Sequence, residues 1–77
     1  MVSSKTTFHL RKTTDVRREY AAFELLADGV PILDVGFSDE RTFEVAFNEQ
    51  IAGIIIDWDK LRDWIEEGRR MAEVDRA

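Results

Sequence analysis

The residues 57–76 carry apolar side chains at the three- and four-residue spacing of an amphipathic α-helix. Asp57 stands where an N-cap belongs, and Asp59 suits the positive end of the helix dipole. Charged residues fill the opposite side. The pattern predicts one capped helix that needs a sheet to cover its apolar stripe, which consists of Trp58, Leu61, Ile65, Gly68 and Ala72, widened by Trp64 and Met71.

Before this helix, apolar and polar residues alternate with the two-residue period of β-strands. The segment 6–13 is one such strand. A second and a third strand follow from the alternation around the loop 38–42, because one register brings apolar residues together on a single face. The pairs predicted in that register are Phe37 with Phe43, Val35 with Val45 and Leu33 with Phe47.

The segment 15–28 has two interpretations. The first makes it part of a hairpin that turns through a three-residue loop 27–29, which places Phe23 opposite Leu33. A two-residue turn would shift the register by one residue and place Phe23 opposite Asp34, which is less favourable. The second interpretation is a helix over 15–28, because most of these residues are good helix formers. We favour the hairpin.

The fold class predicted is therefore α+β: an antiparallel four-stranded β-meander with one C-terminal α-helix packed on one face. The helical interpretation of 15–28 would give the order β-α-β-β-α instead. With 77 residues, the chain is expected to form a single small domain over 1–77, with residues 1–5 as a loose tail.

Composition excludes several classes of function. The chain has no cysteine, which excludes disulfides and thiolate metal sites. No apolar run is long enough for a membrane span and no signal core is visible, so we expect a cytoplasmic protein. The net charge of −5 makes nucleic-acid binding an unfavoured function, although residues 1–18 are basic.

No catalytic or cofactor motif is visible. His9 is the only histidine, and no nucleophile or carboxylate stands at a motif-like spacing from it. The acidic residues of the helix match no calcium-loop spacing. We therefore expect no enzyme activity, no cofactor and no metal site.

Two surfaces are candidates for partner binding. One is the sheet face that a single helix leaves open, on which the hairpin register places Tyr20, Leu26 and Ile32. The other is the acidic side of the helix, with Asp63, Trp64 and Glu67. Of the two tryptophans, we expect Trp58 in the core and Trp64 in contact with a partner.

These observations favour a small, acidic, non-enzymatic protein-binding domain. It would act as an inhibitor or immunity-type protein that occludes a larger, basic protein partner. The alternative is a homodimeric structural or accessory domain, with open sheet faces or an edge strand paired across a two-fold axis.

Overall fold

The computed structural model describes residues 6–14, 19–49 and 53–76. Four antiparallel strands form one open sheet in chain order, and a single C-terminal helix packs on it. The predicted α+β meander is confirmed. The elements are β1 (Phe8–Thr13), β2 (Ala22–Ala27), β3 (Val30–Phe37), β4 (Phe43–Phe47) and α1 (Trp58–Arg76).

The helical alternative for 15–28 is wrong where the structure describes this segment, because residues 22–27 are the strand β2. Residues 15–18 and the predicted tail 1–5 lie outside the described residues. Tertiary pairing decides this segment: β2 is the central strand between β1 and β3, and it buries both of its faces. Such pairing overrides local helix propensity.

The hairpin between β2 and β3 differs from the predicted one. Its turn has two residues, Asp28 and Gly29, both with positive φ (50° and 82°), as a type I′ turn requires. Ala27 lies opposite Val30, and the register then shifts by one residue after Leu25, which pairs with Leu33. The three-residue loop was the wrong prediction.

The register shift is a β-bulge that leaves Ile32 without a partner on β2. It restores the face alternation that a two-residue turn would otherwise reverse, so that Phe23 lies opposite Val35 and not opposite Asp34. It also lets two consecutive residues, Ile32 and Leu33, enter the core together.

The hairpin between β3 and β4 has the predicted register. Phe37 lies opposite Phe43, Val35 opposite Val45 and Leu33 opposite Phe47. Ser38 closes the connecting loop: its N–H donates to the carbonyl of Thr42 at 2.9 Å, and its hydroxyl accepts hydrogen bonds from the loop N–H groups of Glu40 and Thr42.

The core lies between α1 and the central strands. Its fully buried large side chains are Leu25, Ile32 and Val35. The helix N-cap is the predicted one: the Lys60 N–H donates to Asp57 Oδ1 at 3.1 Å. Gly68 and Ala72 are the buried residues of α1, so the helix presents its smallest side chains to the sheet.

Candidate binding surface

The sheet face opposite α1 is largely polar. Arg11 forms an ion pair with Glu24 across β1 and β2, and Asp34 lies opposite Glu24 on β3. The Arg11 side chain is half exposed, whereas that of Glu24 is mostly covered. This face therefore has few apolar groups to offer a protein partner, apart from small side chains such as Ala46.

The placement of Tyr20 and Ile32 on the open face is wrong. Ile32 is fully buried in the core because the bulge turns it toward the helix side. Tyr20 is half-buried and packs against the same core. Leu26 does alternate with the core residues of β2, but only 7% of it is exposed, which leaves little of its surface for a partner.

The helix candidates lie within about one turn of α1 but have different surroundings. Asp63 is exposed and its Oδ1 accepts a hydrogen bond from Arg62. Glu67 forms an ion pair with Arg70, whose hydrogen bond lowers the pKa of the Glu67 carboxyl below its ordinary value and raises the pKa of Arg70. Trp64 is half-buried against the core, with its ring centroid 6.0 Å from that of Phe8.

The predicted core position of Trp58 is wrong, because 67% of its surface is exposed. It is the first residue of α1, and helix side chains tilt toward the N-terminus, so its indole projects past the end of the helix. Trp64 instead supplies part of the packing over β1.

The largest exposed apolar groups collect around this end of the helix. Phe47 at the end of β4 is 61% exposed, Ile55 is 65% exposed and Trp58 is 67% exposed. Beside them lies an open groove of about 230 Å³ that is lined by apolar residues, namely Ile32, Leu33, Phe47, Ile54, Ile56 and Leu61. We call the groove together with Ile55 and Trp58 the apolar end.

Local sequence explains why this end is uncovered. Ile54, Ile55 and Ile56 follow one another in an extended segment, and extended side chains alternate in direction. Ile54 and Ile56 therefore turn inward to the groove, while Ile55 is left in solvent. The sequence is sufficient to predict this alternation. It does not predict that Phe47 and Trp58 lie next to the three isoleucines.

Charged side chains border the apolar end. Asp57 caps the helix and is exposed, and Asp59 and Asp63 both lie against the single guanidinium of Arg62, at 3.3 and 3.2 Å. Lys60 is the other cation of this turn. The border is therefore mixed in sign with a slight acidic excess.

No group of three or more histidine and carboxylate side chains that could hold a metal ion is found within 6–14, 19–49 and 53–76. In the same part of the chain, no buried side-chain nitrogen or oxygen lacks a hydrogen-bond partner. His9 lies exposed on β1, opposite Leu26. No helix in the described ranges has the length and apolar character needed to cross a bilayer.

Comparison of the chain with protein-family models, with curated proteins and with solved structures gave no match. The fold and the apolar end together define a class, a small open-faced α+β domain with an exposed apolar surface.

Proposed function

We propose that this chain is a small, non-catalytic protein-binding domain, and that it binds a larger partner through the apolar end. The observation that carries the proposal is the concentration of exposed aromatic and aliphatic side chains around one groove. Exposed apolar patches on small domains mark contact surfaces, and tryptophan is enriched among the residues that dominate binding energy. Trp58 is the expected anchor.

The shape of the apolar end favours an occupant with one or two bulky apolar side chains. The groove is open to solvent, and its volume of about 230 Å³ gives room for an aromatic ring or a branched aliphatic side chain beside Phe47. The slight acidic excess at the border and the net charge of −5 favour basic residues flanking that segment. A partner covered in this way would be occluded, as an inhibitor or immunity-type protein occludes its target.

Capture from the source cell tests the proposal. Tagged wild-type protein and the variants Trp58→Ala and Val74→Ala are incubated with lysate at low and moderate salt, and the retained proteins are identified by mass spectrometry. Val74 is the matched control, because it is equally exposed, at 67%, but lies near the opposite end of α1. We expect one stoichiometric partner with wild type and Val74→Ala, weaker retention at higher salt, and loss with Trp58→Ala.

The captured partner, once purified, is titrated into the wild-type chain while tryptophan emission is recorded. Binding at the apolar end moves the solvent-exposed indole of Trp58 into an apolar environment, so the emission shifts to shorter wavelength. The same titration with Trp58→Phe shows no shift. Equal retention of the same partner by wild type and Trp58→Ala would contradict the proposed surface.

A further inference from the structure

The two edges of the sheet differ in how they are protected. On the β1 edge, Lys12 points toward the helix side, where it forms an ion pair with Asp75 of α1. His9 and Arg11 occupy the other face of the same strand. An inward-pointing charge on an edge strand disfavours the addition of a further strand, because the added sheet would desolvate it. The β1 edge is therefore protected against pairing with a further strand.

On the β4 edge, the strand itself carries no inward-pointing charge, although Arg69 of α1 lies nearby, with its Cζ over the Phe43 ring at 5.4 Å from the ring centroid. The three residues of β4 on the helix side are all apolar, namely Phe43, Val45 and Phe47, and β4 contains neither proline nor a bulge against β3. Within the described residues, β4 pairs with β3 on one side only. Phe47 is 61% exposed, so this edge leaves an aromatic ring in water as well as its backbone groups.

The hydrogen bonds to β3 determine which backbone groups of β4 face outward. The Ser38 N–H donates to the Thr42 carbonyl at 2.9 Å, and the Asn48 N–H donates to the Ile32 carbonyl at 2.9 Å. In an antiparallel ladder, bonded positions alternate along the strand. Residues 42, 44, 46 and 48 therefore bond toward β3, and the N–H and C=O groups of Phe43, Val45 and Phe47 point away from the sheet.

We propose that β4 pairs antiparallel with β4 of a second copy of this chain, with the two-fold axis at Val45. In this register Val45 lies opposite Val45 of the second copy, and Phe43 lies opposite Phe47 of the second copy. All the outward backbone groups of these three residues then form hydrogen bonds between the copies. The exposed ring of Phe47 gains a cross-strand aromatic neighbour.

Charge disfavours one of the two neighbouring registers. With the axis at Val45, Glu44 lies opposite Ala46 of the second copy, so no like charges meet. A shift that places the axis at Glu44 would set the two Glu44 carboxylates directly opposite each other, which is unfavourable. An axis at Ala46 would avoid like charges but would place Phe43 opposite Glu49, beyond the end of β4. The axis at Val45 pairs all three outward residues of β4 with one another and sets no like charges opposite each other, and this argues for a second copy as the occupant.

Dimerisation of this kind does not rest on the proposed partner binding, and it responds to salt in the opposite direction. Each copy carries a net charge of −5, so the copies repel at low salt and screening should strengthen their association. Sedimentation equilibrium of the purified chain over a range of concentrations, at two salt levels, measures this association without any other protein.

The decisive variant is Val45→Pro, which removes the central outward N–H and leaves the bonds to β3 intact. Proline is tolerated on an edge strand whose N–H faces solvent. We expect wild type to approach twice the monomer mass as concentration rises, more readily at high salt, and Val45→Pro to remain monomeric with an unchanged circular dichroism spectrum. A wild-type monomer at every concentration, or a dimer that survives this substitution, would overturn the proposal.

A second pair of variants tests the register even if the proline variant does not fold. Ala46→Lys places a cation opposite Glu44 of the second copy and should tighten the dimer at least several-fold. Ala46→Glu places a carboxylate there and should loosen it to a similar extent. The control is Glu66→Gln, on the exposed side of α1. Like Ala46→Lys, it changes the net charge by +1, but it leaves β4 unchanged. Equal effects of Ala46→Lys and Glu66→Gln would contradict the register.

Discussion

Gly68 of α1 lies directly against Val35 of β3. A Cβ atom added at Gly68 would come within 2.5 Å of Val35 Cγ2, and the β-branched side chain of valine has little freedom to move aside. The closest approach of helix and sheet is therefore set by the absence of one carbon atom. This explains a glycine in the middle of a helix, where it costs about 1 kcal/mol relative to alanine.

We expect Gly68→Ala to destabilise the fold by about 1–2 kcal/mol, because overpacking outweighs the gain in helix propensity. The measurement is urea unfolding monitored by circular dichroism. In a Val35→Ala background, where the obstructing methyl group is gone, the same substitution should be neutral or stabilising. Equal effects of Gly68→Ala in both backgrounds would mean that the two residues are not coupled.

The Asp28–Gly29 turn gives a second prediction. Gly29 has a φ of 82° and nothing lies within 4 Å of where its Cβ would be, so a side chain there meets backbone strain alone. Gly29→Ala should destabilise the fold by about 1–2 kcal/mol. Gly29→Asn should cost clearly less, since asparagine tolerates the left-handed conformation. Thermal unfolding of the two variants provides the comparison, and equal losses would contradict it.

Substitutions at Asp28, the other residue of this turn, test the same hairpin. The Oδ1 of Asp28 accepts a hydrogen bond from the Thr7 N–H at 2.9 Å, and its own N–H donates to the Thr7 carbonyl at 2.8 Å. Asp28→Ala removes the first bond and also strains a φ of 50°, so we expect a loss of about 1–2 kcal/mol. Asp28→Asn keeps an acceptor and should lose less than half as much in the same unfolding measurement.

The tryptophans provide a third test. Trp64 packs against Phe8 and the core, so Trp64→Ala should cost about 2 kcal/mol, less than the loss expected of a fully buried indole. Trp58→Ala should change the free energy of unfolding by less than about 0.5 kcal/mol, because the side chain is mostly exposed. Acrylamide quenching of Trp64→Phe and Trp58→Phe checks the assignment, since the indole left in Trp64→Phe should be quenched more strongly.

The ion pair of Glu67 and Arg70 predicts a dependence on pH. The hydrogen bond from Arg70 lowers the pKa of Glu67 below 4.5, so the charged carboxylate favours the folded state. The stabilisation is complete above the ordinary pKa and is lost as pH falls through the lowered one; it is small, because the pair is exposed. A carbon-13 titration should show the Glu67 pKa rising toward 4.5 in Arg70→Gln.

The control for that titration is Arg69→Gln. Arg69 bonds to Glu73, with its Nε 3.0 Å from Glu73 Oε1, and it makes no bond to Glu67. The pKa of Glu67 should therefore stay lowered in this variant, although net charge changes equally. A similar rise of the Glu67 pKa in both variants would assign the shift to general charge and not to the hydrogen bond from Arg70.

The register between β3 and β4 was predictable because three consecutive apolar pairs agree on it. The turn between β2 and β3 was not, because the bulge at Ile32 has no signal of its own. The pairing of Phe23 with Asp34 makes a two-residue turn less favourable, and only an extra residue in the strand removes that conflict. Local turn chemistry at Asp28 and Gly29 was the better guide there.

The candidate surface was harder to predict than the fold. Helical periodicity places Trp58 on the apolar stripe, but periodicity does not say where the sheet beneath the helix ends. Strand alternation predicts that Ile32 points to the open face, whereas the bulge turns its side chain into the core. In both cases the exposure of the side chain depends on packing between segments that are distant in the sequence. The spacing of residues along the chain does not predict such packing.

The unequal edges of the sheet bear on stoichiometry. Subunits can add to one another without limit through their β-sheets only if both edge strands of each subunit can pair. The inward lysine, Lys12, held by Asp75, closes one of the two edges of this chain. The proposed pairing through β4 would therefore end at two subunits, which permits a dimer and prevents growth into a fibre.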